Sequence, residues 1–193
     1  YVPAGIPVHK ATIIPRGRAL GMVKFLPEGD RYSMKFKEFT SQLAVAMGGR
    51  VAEEMTFGME NVTSGATGDI QQATKMAKAM VTQMGYSKEL GMVAYGDNQE
   101  EVFLGMSMGR SQAISEATAQ KIDSEVRKLV HQGYLDAQAI LTEHHDQFVA
   151  VAEALLEFET LTGDEIRDLI AGKRPVRDDA DTPSTPRGSA VPS

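Results

Sequence analysis

The apolar positions of this chain change period along its length. The run Val8-His9-Lys10-Ala11-Thr12-Ile13-Ile14 is rich in β-branched residues and bounded by Pro7 and Pro15, and Met22-Val23-Lys24-Phe25-Leu26 has the same character. Both read as strands of a small sheet near the start. From residue 33 to about 57 the spacing becomes helical, with Phe36, Phe39, Leu43, Val45, Ala46, Val51, Ala52 and Met55 recurring across the adjacent pair Gly48-Gly49. Two such glycines cost a helix on the order of 1 kcal/mol each relative to Ala, so they point to a close approach of another backbone or to a break.

A second stripe, Ile70, Ala73, Ala77, Met80, Val81 and Met84, lines one face of a helix that should end near Gly85. Met76, Met80 and Met84 recur within it; a methionine stripe suits a promiscuous groove, but core packing is the simpler reading. Residues 86–109 are irregular and glycine-rich, with a short strand expected at 92–95. A long helix is predicted from 115 to 142, with Ile122, Val126, Leu129, Val130, Ala137, Ile140 and Leu141 buried, then another from 145 to 159. Thr162-Gly163-Asp164-Glu165 has the spacing of a capping box and opens a last helix to about 171. From Lys173 onward Pro, Ser, Asp, Arg and Thr leave little to bury, so 173–193 is expected to be a disordered tail. The fold class is mainly α: one helical domain over 1–172 with a small N-terminal β element.

Composition narrows the function classes. With 193 residues, 42% of them apolar, the chain can bury one core, and it contains no run of about 20 apolar residues that could span a bilayer. The absence of cysteine excludes disulfides, thiolate metal sites and a cysteine nucleophile, and fits a reducing cytosolic compartment. A net charge of -6 argues against general nucleic-acid binding, which relies on Lys and Arg neutralising phosphates. Residues 1–50 nevertheless carry eight Lys and Arg against three Asp and Glu. That asymmetry suits complementary faces between neighbouring subunits, although a solvated face is the commoner explanation.

The candidate chemistry lies in the loop Thr63-Ser64-Gly65-Ala66-Thr67-Gly68-Asp69-Ile70-Gln71-Gln72, which delivers one carboxylate to a helix start. On local sequence Asp69 reads as an N-cap, with Gln72 completing a capping box. A carboxylate there can also serve as an oxygen ligand, but a catalytic zinc site takes about three protein ligands. The four histidines, His9, His131, His144 and His145, offer no His-Glu-x-x-His spacing, and His144 and His145 are adjacent and point to different sides of a helix. Structural or surface roles are expected for all four. Glu53 and Glu54 read locally as a solvated pair, and Met22 to Leu26 as an ordinary edge strand.

Three motifs in order, the stretch from Pro7 through Arg16-Gly17-Arg18 to Gly21, then Gly48-Gly49-Arg50-Val51-Ala52-Glu53-Glu54, then Gly65-Ala66-x-x-Asp69-Ile70, resemble the peptidase domain of the FtsH family. The likeness runs from about residue 7 to 171. That family comprises membrane-anchored AAA+ ATP-dependent zinc metalloproteases. The resemblance implies a truncated peptidase domain: the family's His-Glu-x-x-His helix, with two zinc ligands and a glutamate general base, lies just before the point where this sequence begins, so the chain by itself is expected to be inert. It also implies that Asp69 is the third zinc ligand, that Glu53 supports a zinc-bound histidine, and that the strand Met22, Val23, Lys24, Phe25 and Leu26 lies beside the cleft and holds extended substrate by main-chain pairing. Gly68 stands where the family often has Asn, a change that should loosen the loop slightly.

The resemblance further implies ATP and Mg2+ in an upstream ATPase module, a homo-hexamer, and unfolded or membrane-protein substrates. The parent would sit in a bacterial inner membrane, or an organelle equivalent, with this domain on the cytoplasmic side. Two other readings are compatible with the sequence: a peptidase-like scaffold that only assembles, and a free-standing helical interaction module.

Overall fold

The computed structural model describes residues 1–15, 17, 20–26, 33–95 and 114–175. The elements run β1 (Val8–Thr12), β2 (Met22–Phe25), α1 (Phe36–Phe57), a single 3-10 turn (Met59–Asn61), α2 (Thr67–Thr82), α3 (Glu116–Glu143), α4 (His145–Phe158), β3 (Thr160–Thr162) and α5 (Gly163–Ile170). The chain is mainly α with a small sheet, as its pattern predicts. No helix among the described residues is long and apolar enough to cross a membrane. The expected tail lies, from residue 176 on, outside the described residues. Backbone contacts group the chain into two compact units, one of residues 1–6 and 27–145, the other of 7–26 and 146–193.

The first unit is built on α1, α2 and α3. Leu43, Met47 and Val51 of α1, Ala73, Ala77 and Met80 of α2, and Ala137 of α3 form its core, flanked by Phe39, Met55, Tyr134 and Leu141. Small residues on α2 and α3 let the helices approach closely. The closest approach is at Gly133, where an added Cβ would meet the Leu43 Cβ at 2.9 Å and the Leu43 carbonyl carbon at 3.0 Å. Gly48 and Gly49 behave otherwise than their sequence suggests: α1 runs through them unbroken, and nothing among the described atoms lies within 4 Å of a Cβ built at either. The close packing has moved to a glycine eighty-odd positions further along the chain.

Other departures are local. Phe36, Val45 and Ile70 are exposed at the margins of their helical stripes, and Met84 is exposed because α2 ends before it, at Thr82. Met80 is fully buried, Met76 packs against the same core, and only Met84 of the stripe faces out. Residues 92–95 form no strand; the Tyr95 N–H instead donates to the Thr82 carbonyl at 2.7 Å and its hydroxyl to the Leu90 carbonyl at 3.1 Å. The Ser87 hydroxyl donates to Glu125 at 2.8 Å, tying this turn to α3. That hydrogen bond and Lys128 hold the Glu125 carboxyl below its usual range, Lys128 contributing most.

The second unit contains a three-stranded antiparallel sheet in the order β2-β1-β3. Pattern reading misses β3, whose three residues pair Thr160 with Thr12, Leu161 with Ala11 and Thr162 with Lys10. Leu161 is fully buried and packs with Ala154 and Leu169. The predicted capping box is present: the Glu165 N–H donates to the Thr162 hydroxyl at 3.3 Å, and the Thr162 N–H donates to the Glu165 carboxylate at 2.7 Å. A Cβ on Gly163 would fall 2.0 Å from the Val8 carbonyl oxygen, so only glycine permits α5 to start against β1.

The two kinds of glycine on the α1–α3 pair should respond oppositely to alanine. Gly133→Ala should destabilise the chain by about 1–3 kcal/mol through overpacking against Leu43. Gly48→Ala and Gly49→Ala, with open space around them, should each stabilise by about 0.5–1 kcal/mol. Urea unfolding midpoints check both signs.

Candidate metal centre

The segment between α1 and α2 is held at nearly every step. Gly58, at φ 77°, turns the chain out of α1, and the Asn61 side-chain amide donates to the Phe57 carbonyl at 2.8 Å. The Thr63 hydroxyl donates to Glu53 Oε1 at 2.7 Å, and the Thr63 N–H reaches the other oxygen of that carboxylate at 3.4 Å. The Gly65 N–H donates to Thr63 Oγ1 at 3.1 Å. The Thr67 N–H and hydroxyl both donate to the Ser64 carbonyl, at 3.1 and 2.7 Å, and the buried Ala66 seats the turn. Through Thr63 and the backbone the loop is thus anchored to the last turns of α1.

Asp69 is not the cap of α2. The helix starts two residues before it, with Ala66 at the cap position and Asp69 as the third helical residue. The local sequence misleads because Ser64 supplies a backbone carbonyl where a capping side chain is expected. Asp69 is exposed and has no hydrogen bond or ion pair among the described residues. Backbone N–H groups of the first turn create a positive end that favours a carboxylate there. The result is an oxygen donor of fixed origin that the domain itself does not consume.

Glu53 is half-buried and spends one oxygen on Thr63. Its neighbour Glu54 has a different job, which local reading missed. Its carboxylate accepts from the Tyr134 hydroxyl at 2.5 Å and from Arg50 Nε at 2.7 Å. The Tyr134 hydrogen bond, then Arg50, hold the Glu54 carboxyl below the usual range, and the same bond pushes the Tyr134 phenol up. Eighty positions separate the two residues in sequence, so no local signal marks the pair.

No three His, Asp or Glu side chains among the described residues converge on a point that could hold a metal. His144 stacks on Tyr1 with ring centroids 3.8 Å apart, and His131 lies parallel to Tyr134 at 6.3 Å. His9 is exposed in β1. The described donor set therefore fits a share of a zinc site, one oxygen, and not a whole one.

In the second unit, β2 lies at the edge of the sheet. Met22, Val23, Phe25 and Leu26 are between 38% and 55% exposed. The Leu26 N–H donates to the Pro7 carbonyl at 3.1 Å, just past the strand, so the ladder with the segment before it extends to Leu26.

Comparison with known proteins decides the kinship. Residues 1–169 match peptidase family M41. The chain belongs to peptidase family M41. An ATP-dependent zinc metalloprotease FtsH from Caulobacter vibrioides is 60% identical over 178 residues, which are 92% of this chain and 28% of that protein. Proteins of the same name from Rickettsia prowazekii and Akkermansia muciniphila are 51% and 50% identical, over 90% and 87% of this chain. This M41 chain spans between 21% and 28% of the length of these relatives.

Two outcomes follow for the site. Glu53→Ala should leave the helices in place but speed hydrogen exchange at the Thr63 and Gly65 amides by at least about tenfold, the equivalent of roughly 1.4 kcal/mol for a hydrogen bond to a charged group; unchanged protection would show that the loop holds itself. Tyr134→Phe should destabilise by about 1–3 kcal/mol near neutral pH. The lowered Glu54 contributes stability above the ordinary carboxylate range and loses it as pH falls through its depressed folded value. The raised Tyr134 contributes below the ordinary phenol range and loses it as pH rises through its elevated folded value. The gap between wild type and Tyr134→Phe in urea melts should therefore be widest between these limits and narrow at both ends.

Proposed function

We propose that this chain is the C-terminal peptidase part of an ATP-dependent zinc metalloendopeptidase, in which Asp69 supplies one of the zinc ligands. The supporting observation is an unpartnered carboxylate in the first turn of α2, on a loop tied to α1, in a chain that matches M41 over residues 1–169. Zinc in such a site supplies Lewis-acid and water-activating chemistry. The remaining ligands and the general base belong to the rest of the site. Glu53 has a double part in this reading. A carboxylate has about four acceptor positions, so it can keep Thr63 and also receive the N–H of a zinc-bound histidine, fixing its tautomer.

The outer edge of β2, unpaired among the described residues, holds substrate in extended form through main-chain hydrogen bonds, which suits chains of varied sequence such as unfolded or membrane proteins. The parent protein carries the ATPase module with ATP and Mg2+, assembles as a homo-hexamer, and is anchored in a bacterial inner membrane with this domain on the cytoplasmic side.

In the intact protein, Asp69→Ala should reduce casein degradation to background while ATP hydrolysis continues; proteolysis at the wild-type rate would remove Asp69 from the metal. The 193-residue chain alone should bind zinc more weakly than micromolar, because one carboxylate contributes little. Stoichiometric micromolar binding in calorimetry would mean that this chain holds a site of its own.

A further inference from the structure

The edge of β2 has a chemical pattern as well as a side that is unpaired among the described residues. The ladder pairs Lys24 with Lys10, and Lys10 in turn with Thr162, so both lysines stand side by side on one face of the sheet. Both are exposed, and neither has an ion-pair partner among the described residues. Like charges opposite one another in a ladder repel; the nearest carboxylate described on the row, Glu165, is bound to Thr162 at 2.7 and 3.0 Å, at the end of the row away from Lys24. The other face is different. It carries Ala11 and Leu161, both buried, and continues at the edge into Val23 and Phe25, which are 50% and 38% exposed. The apolar face of the sheet therefore extends one strand further than its cover. On the lysine face, Met22 and Leu26 flank Lys24 with exposed apolar side chains.

We infer that the β2 edge selects extended segments in which an acidic residue, placed beside Lys24, alternates with apolar residues placed beside Val23 and Phe25. This rests on the proposal that β2 binds substrate as an added strand, and it supplies the side-chain preference that main-chain pairing lacks. Strand geometry turns successive side chains to opposite faces, so one docked strand meets both requirements at once: its carboxylate relieves the Lys24–Lys10 repulsion while the residues on either side cover Val23 and Phe25. The charge pattern favours such a peptide over a second copy of the same edge, which would bring its own lysines to the row.

The test uses the 193-residue chain and fluorescein-labelled heptapeptides of alternating valine and threonine, with Glu, Gln or Lys at the central position, read by fluorescence anisotropy at low salt. The Glu peptide should bind about three- to fivefold tighter than the Gln peptide, as expected for an opposite-charge pair across strands, and the Lys peptide weakest. Lys24→Glu, an exposed edge substitution checked by its circular dichroism melt, should reverse the order. Equal binding of the three peptides to both proteins, abolished by N-methylation of the peptide backbone, would overturn the acidic preference while leaving strand addition standing. Binding that survives N-methylation, or no binding of any peptide, would overturn strand addition and the preference with it.

Discussion

The bond between Glu53 and the Thr63 hydroxyl sets the position of everything downstream in the candidate site. Thr63 both donates to that carboxylate and accepts from Gly65, so one side chain of α1 is tied to the turn that precedes α2. A carboxylate acceptor makes such a hydrogen bond roughly twice as strong as a neutral one. Asp69 inherits its place from this chain of contacts while making none itself. Asp69 is without a partner among the described residues because the Ser64 carbonyl accepts both the N–H and the hydroxyl of Thr67 at the start of α2.

Adjacent positions on a helix point about 100° apart, and α1 uses the difference. Glu53 faces the loop that carries Asp69, whereas Glu54 faces α3 and meets Tyr134 and Arg50. The second contact fixes α1 against α3 at one end, and the close approach of Gly133 to Leu43 fixes it nearer the middle. An anchor for the loop is useful only if the anchor does not move. The neighbouring glutamates thus divide the tasks of holding the loop and holding the helix that holds the loop.

Much of this was legible in the sequence, for reasons that differ by element. The helices α1, α3 and α5 follow from long apolar stripes and, for α5, from a capping box that forms as spaced. β3 escaped because three residues are too few to show a period; its pairing with β1 comes from tertiary contact. The glycine reading failed at Gly48 and Gly49 because sequence registers the cost of a glycine and not what approaches it; the tight contact is at Gly133, inside a stretch that looks like ordinary helix. The local reading of Asp69 as a cap was off by three residues: Ala66 holds the cap position, and the Ser64 carbonyl takes the first-turn contacts that a capping side chain would take. The Glu54–Tyr134 pair had no local signal at all. Asp69 and Glu53 drew attention as candidates through resemblance to a family, and the geometry adds a reason for Glu53 that the resemblance did not contain.

In the proposed function, the exposed carboxylate of Asp69 ligates a zinc ion in the intact protein. The most direct measurement is zinc X-ray absorption on intact wild-type protein and on Asp69→Ala, with metal content determined on the same samples. Bound zinc with nitrogen and oxygen neighbours is expected in the wild type, and in the variant the loss of one oxygen neighbour together with a substantial fall in zinc retained after dialysis. An unchanged spectrum with full zinc retention in Asp69→Ala would remove Asp69 from the coordination sphere.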